Sequence, residues 1–305
     1  MMKKIIKFFC FLIILCIFSL SIMSMAKHPF LARIWGIKVA ENVKSDLRKL
    51  GFTEFYTLSK TDAFGYFFTS KYELITTTNK EIYITNLQTK KKDLIINLGY
   101  VQDDISIIPL DVKDSFLYFL LDDGKVFSFI EINLTNKDYR EVYRIKTSAI
   151  ENVWLDSFSM KIYIDMYDKI EIHDIRTNNI TSINTPTASL LEFCNNYSNA
   201  IFLNMEKQCL DIFDLEIEKN ILSIPIEQKY TAIRFMEEQK DNIYFAVNRQ
   251  KRYESDLVKI NFQTGTFENL LENFEYGVGK IYKVSQNEYC FEVYTDDSKI
   301  VFCYF

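Results

Sequence analysis

Histidine and glycine are both scarce here: two histidines, His28 and His173, and eight glycines in 305 residues. A His-based triad and a multi-histidine metal centre are thereby set aside, since each needs imidazoles that this chain does not supply. The sequence also lacks a Gly-rich phosphate loop, a Gly-x-Ser-x-Gly elbow and a Cys-x-x-Cys pair, the signatures of common nucleotide, hydrolase and thiol chemistries. No cofactor is implied. With so little glycine, most turns must be made by Asn, Asp and Lys. Positive charge is not in excess either: the net charge is −5, and outside the first 26 residues 33 basic and 41 acidic residues leave about −8. A nucleic-acid partner, which calls for a concentrated basic footprint, is excluded on that ground.

Helical periodicity is hard to find after about residue 50, and short strands take its place. Leu74, Tyr118, Tyr163, Phe202, Tyr244 and Cys290 each centre an apolar strand, at intervals of 44, 45, 39, 42 and 46 residues. Such a period marks a blade repeat, because a four-stranded sheet cannot bury both faces until it stacks on neighbours around an axis. The third strand of a copy tends to end in Asn or Asp before an apolar residue, as at Asn86-Leu87, Asp174-Ile175, Asp214-Leu215 and Asn261-Phe262. A short polar side chain there can bond the backbone of the next turn. The sixth copy stops after three strands, while an extra strand over residues 52–58 precedes the first. We therefore expect an all-β fold, a six-bladed β-propeller over residues 52–305, closed by an N-terminal strand paired with residues 299–305.

Ahead of the ring, Lys3, Lys4 and Lys7 precede 18 uncharged, largely apolar residues, 8–25, and Ser24-Met25-Ala26. This is the pattern of an export signal, either cleaved or retained as a membrane anchor over residues 1–26. Residues 27–51 form a linker in which Leu31, Ile34, Trp35, Val39, Val43, Leu47 and Leu50 approximate helical spacing. That helix either lies on a membrane surface or packs across the propeller. Four cysteines remain beyond the signal. Cys290 and Cys303 are equidistant from the turn at Asp296-Asp297, so a regular hairpin sets them face to face, where they are packed or bonded. Cys194 and Cys209 fall on strands that are not neighbours.

Topology says where a site would lie. The links between second and third strands and those between blades emerge on one face. There the longest hairpin, 248–254, places Arg249, Lys251 and Arg252 beside Tyr253. Such a loop can dock an acidic or glycan partner, or be a solvated turn. The innermost strands add Glu151, Asp156, Glu192, Arg234 and Lys280 around the central channel. His173 reads as a partly exposed strand residue, and Asp122-Asp123-Gly124 and Asp296-Asp297-Ser298 as hairpin turns.

The strings Lys161-Ile162-Tyr163-Ile164-Asp165 and Asn242-Ile243-Tyr244-Phe245, each followed by a strand ending in Asp174 or Asn261, resemble the six-bladed propeller superfamily with its TolB-like and YWTD-type repeats. The resemblance covers most of residues 52–305, without the Trp-Thr-Asp or Trp-Ser-Pro-Asp-Gly strings of those groups. It implies a fold and no activity, since the superfamily holds receptors, scaffolds and enzymes. Two functions follow as expectations. One is an exported or membrane-anchored, non-catalytic binding or scaffold protein of the cell envelope with a protein or glycan partner. The other is an envelope or secreted enzyme that cuts a glycan-like polymer with channel carboxylates such as Glu151, Asp156 or Glu192.

Overall fold

A computed structural model describes residues 40–305 apart from 61–62, 64, 79, 100–104, 147–151, 167, 187, 195–196, 227–229, 240–241, 250–254, 262–263 and 286–287. The expected export segment and the front of the amphipathic stretch lie outside the described residues. Among those described, no helix is long and apolar enough to cross a membrane.

Among the described residues one helix, α1 (Ala40–Lys49), leads into β1 (Phe55–Ser59), and twenty-three further strands follow. Blade 1 holds β2 (Gly65–Ser70), β3 (Glu73–Thr77), β4 (Glu81–Asn86) and β5 (Lys92–Asn97). Blade 2 holds β6 (Ser106–Lys113), β7 (Phe116–Asp122), β8 (Val126–Asn133) and β9 (Tyr139–Lys146). Blade 3 holds β10 (Asn152–Asp156), β11 (Lys161–Asp165), β12 (Lys169–Asp174) and β13 (Ile180–Asn184). Blade 4 holds β14 (Ser189–Cys194), β15 (Asn199–Asn204), β16 (Cys209–Asp214) and β17 (Lys219–Pro225). Blade 5 holds β18 (Tyr230–Gln239), β19 (Asn242–Arg249), β20 (Ser255–Asn261) and β21 (Phe267–Phe274). In blade 6, β22 (Val278–Lys283), β23 (Tyr289–Tyr294) and β24 (Lys299–Tyr304) are joined by β1, which runs antiparallel to β24 with Thr57 opposite Val301.

Six hydrophobic clusters lie between consecutive blades, including one that joins blade 6 to blade 1 through Tyr282, Phe302 and Tyr304 on one side and Phe68 and Leu74 on the other. This arrangement explains why the middle strands read as unbroken apolar runs. In β11, Ile162 and Ile164 enter the blade 2/3 cluster while Tyr163 between them enters the blade 3/4 cluster. Both faces of the strand are covered, so alternation is lost. The outer strands behave differently. In β13 and β17 a single residue is buried, and β17 begins at Lys219 and ends in Pro225, features that blunt a sheet edge.

Turn chemistry repeats with the blades. Asn86, Asn133, Asp174, Asp214 and Asn261 each accept a backbone N–H from the following turn through a side-chain oxygen. Four residues after each, Lys90, Lys137, Asn178, Glu218 and Gly265 adopt the left-handed conformation, with φ between 51° and 65°. Asn133 belongs to this set although its sequence context had not singled it out.

Two sequence expectations need correction. Cys290 stands opposite Tyr304 and Cys303 opposite Phe291, because a three-residue turn at Asp296, Asp297 and Ser298 shifts the hairpin centre. The two thiols therefore face different clusters, and both are free and buried. His173 is buried rather than partly exposed, with the Tyr143 hydroxyl 3.1 Å from Nδ1 and Glu171 Oε2 3.2 Å from Nε2. Of the two places open to the amphipathic stretch, its described part takes the one across the propeller: Ala40, Val43 and Leu47 are buried in the blade 5/6 cluster, and Asp46 accepts a 2.5 Å hydrogen bond from the Tyr276 hydroxyl.

Candidate functional site

First strands of neighbouring blades pack on one another, β2 on β6, β6 on β10, β14 on β18 and β18 on β22, which makes the first strands the innermost. Asp156 ends β10 on this inner ring. Its Oδ1 accepts the N–H of Phe158 at 2.9 Å and of Ser159 at 3.1 Å, and its Oδ2 accepts the Ser159 hydroxyl. It is thus a turn former, and it lies on the face opposite the blade links.

Glu192, on β14 of the next blade, is half-buried. Burial raises its carboxyl above the ordinary 4.5, opposed by the Phe193 N–H, the Lys280 ammonium and the Trp154 indole. A β-bulge between Leu190 and Glu192 re-aims this part of the strand. Asp156 and Glu192 share a neighbour in Tyr197, whose hydroxyl donates to the Leu155 carbonyl at 3.0 Å. Burial, then the charges of Glu192, Asp111 and Asp156, push that phenol far up.

The remaining candidates divide. Arg234 lies on β18, the inner strand of blade 5, and Arg249 ends β19 on the face of the second-to-third-strand hairpins. Glu151, Lys251, Arg252 and Tyr253 lie outside the described residues. Asp122 and Asp123 turn a hairpin as expected, accepting the N–H groups of Gly124, Lys125 and Val126.

Two polar groupings were not foreseen. Asp111 on β6 accepts from the Val112 N–H at 2.7 Å and from the Ser157 hydroxyl. Burial raises its carboxyl in spite of those bonds. Glu292, 1 % exposed, accepts hydrogen bonds from three tyrosines: Tyr66 at 2.7 Å, Tyr282 at 2.6 Å and Tyr294 at 2.6 Å. Tyr66 and Tyr282 come from the inner strands of blades 1 and 6, so this carboxylate ties the two ends of the chain together. Gly279 makes room for it, since a Cβ there would collide with Glu292 Oε2 and lie 2.6 Å from the Tyr294 hydroxyl. Among the described residues no three His, Cys, Asp or Glu side chains gather as they would around a metal ion.

No protein-family model and no curated protein matches the chain. Solved structures do. One is KlHsv2 with its loop 6CD replaced by a Gly-Ser linker, at 13% identity and a TM-score of 0.51 over 76% of this chain and 77% of that one. A chain of Kuenenia stuttgartiensis hydrazine synthase matches at 12% identity and 0.50, over 77% of each. A chain of the mitotic checkpoint complex matches at 10% and 0.51, over 81% and 82%. The fold is a six-bladed β-propeller. At such identities the likeness carries the propeller architecture and nothing of those proteins' work.

Proposed function

We propose that this propeller is a non-catalytic binding or scaffold protein, exported to the cell envelope by its N-terminal segment and engaging a protein or glycan partner. The observation that carries the reading is the commitment of Asp156 and Asp111 to structural bonds: Asp156 caps a turn with three donors, and Asp111 joins blades 2 and 3 through Ser157. A carboxylate so engaged has little freedom to exchange protons with a substrate. The three lysines before the apolar stretch support export, as a cleaved or retained segment. In this reading the pairing of β1 with β24 seals the ring, and the loop carrying Arg249, Lys251, Arg252 and Tyr253 contacts the partner.

Affinity capture from envelope fractions with the full chain tests this. A partner held by the wild type and lost by an Arg249→Glu, Arg252→Glu variant supports it, whereas turnover of a glycan polymer by the purified protein overturns it. Glu192 supports the enzymatic alternative, because it stands on an inner strand and burial raises its carboxyl, the direction a general acid needs. In that case Glu192→Gln abolishes turnover and leaves partner capture intact.

A further inference from the structure

A cavity of about 380 Å³ opens in the closing seam, between β1 of blade 6 and the sheet of blade 1. Its volume falls in the range of small-molecule sites, roughly 300–1,000 Å³. Tyr56 and Leu58 form one wall, and both belong to the cluster joining blades 6 and 1. Thr76, Thr85, Lys90 and Lys92 form the other. The ladder explains why they converge: Thr85 stands opposite Leu74 and Lys92 opposite Thr85, so all three share the face on which Leu74 is buried against blade 6. Thr76 follows Leu74 by two residues and shares that face.

The chemistry of the walls is one-sided. Lys91 pairs with Asp93 at 2.9 Å, but its neighbours do not pair with acids. Lys92 Nζ sits 4.1 Å from the centre of the Tyr83 ring, and Lys90 has no hydrogen-bond or ion-pair partner among the described residues. The Thr76 hydroxyl is buried with no hydrogen-bond partner, on a residue 3 % exposed. A buried hydroxyl left without a partner is costly. Two ammonium groups without an acidic partner, two hydroxyls and an apolar wall with one aromatic ring specify an oxyanion attached to a compact, partly non-polar body.

We infer that the seam cavity binds a small phosphate- or carboxylate-bearing molecule, its oxyanion at Lys90 and Lys92 and its body between Tyr56 and the two threonines. This goes beyond the partner-binding reading and stands on a different surface. Titration of the full chain with phenyl phosphate, benzoate and the neutral control benzyl alcohol, followed by calorimetry and amide NMR, tests it. The anions bind at least about tenfold more tightly than the alcohol, with shifts confined to β1, β3, β4, the 87–91 turn and the start of β5, and added salt weakens them. The tighter of the two anions names the source, phosphoryl or carboxyl. Lys90→Glu with Lys92→Glu removes binding. Thr76→Val weakens it about tenfold without lowering the melting temperature of the free protein. Equal binding of the alcohol, or anion binding unchanged in the lysine variant, overturns the inference. Loss of anion binding with partner capture intact in the same variant separates this site from the partner surface.

Discussion

A disulfide between β1 and β24 tests most directly whether β1 closes the ring. Lys60 donates to the Ser298 carbonyl at 2.9 Å and Tyr304 to that of Glu54 at 3.3 Å, so the even-numbered residues of β1 form the hydrogen-bonded pairs. Thr57 and Val301 face each other between them, where Cα atoms approach to about 4.5 Å, within disulfide range. Little is lost by the exchange, because the Thr57 hydroxyl is buried without a partner. The double variant Thr57→Cys, Val301→Cys encloses 245 residues of chain, and loop-closure entropy puts the gain at up to about 5 kcal/mol over its reduced form. For a domain of this size that is a rise in melting temperature of about 10–20 °C. Thermal melts followed by circular dichroism with and without reductant measure it, and peptide mapping under non-reducing conditions identifies the 57–301 bond. Absence of that bond under mild oxidation would refute β1 as the closing strand, and its formation without a rise in melting temperature would refute the loop-entropy magnitude.

Three further outcomes follow from single positions. Gly279→Ala drives a methyl into Glu292 and Tyr294 and costs about 1–3 kcal/mol in denaturant melts. Gly277→Ala, whose Cβ meets nothing closer than 3.6 Å, is neutral or mildly stabilising. Glu218→Gly relieves a left-handed residue at φ 51° and gains about 0.5–1 kcal/mol, more than Asn178→Gly, because Asn tolerates that conformation better. Glu192 has a raised folded pKa, so the folded state holds its proton more tightly than the unfolded chain. Its ionisation therefore costs stability progressively as pH rises from 4.5 through the folded value. Glu192→Gln should accordingly be more stable than wild type at pH 7, with the advantage vanishing below about pH 4; an advantage that grows on acidification rules this out.

The blades were legible because each strand carries its own signal. Lys161–Asp165 and Ser189–Cys194 lie where runs of β-branched and aromatic residues end at Asn, Asp or Lys. Facing was not legible. Tyr118, Tyr163, Tyr244 and Cys290 look toward the following blade, but Leu74 and Phe202 look toward the preceding one. In a strand covered on both sides, apolar residues follow one another and a shift of one position leaves the pattern unchanged. The same ambiguity misaligned Cys290 and Cys303. The polar groupings were hidden for another reason. Asp111 meets Ser157, and Glu292 meets Tyr66, only after blades are docked, across 46 and 226 residues of sequence. Asp156 looked like a channel acid because its strand is innermost, but the donors that occupy it come from its own turn.

Closing a ring asks the last seam to join residues more than 200 apart, and loop-closure entropy must be offset there. The blade 6/1 seam has the means. Besides the Glu292 tyrosines, Lys71 Nζ lies 2.8 Å from Glu54 and 2.5 Å from Glu288, with only 16 % of its side chain exposed. Glu54 sits on the approach to β1 and Glu288 on the β22–β23 hairpin, so one ammonium links blade 1 to two separate segments of blade 6. The bonds to Glu288 and Glu54 raise the Lys71 pKa, and the bond to Lys71 lowers that of Glu288. The lysine's contribution is complete below pH 10.5 and is lost as pH rises through its higher folded value. The glutamate's is complete above 4.5 and is lost as pH falls through its lower folded value. Lys71→Met should therefore cost about 1 kcal/mol at neutral pH and low salt, and less at either extreme or in 1 M salt. Chemical denaturation at three pH values measures it, and a loss independent of both pH and salt would mean that the Lys71 stem acts by packing alone, without its ion pairs or its ammonium contacts with Tyr72 and Tyr304.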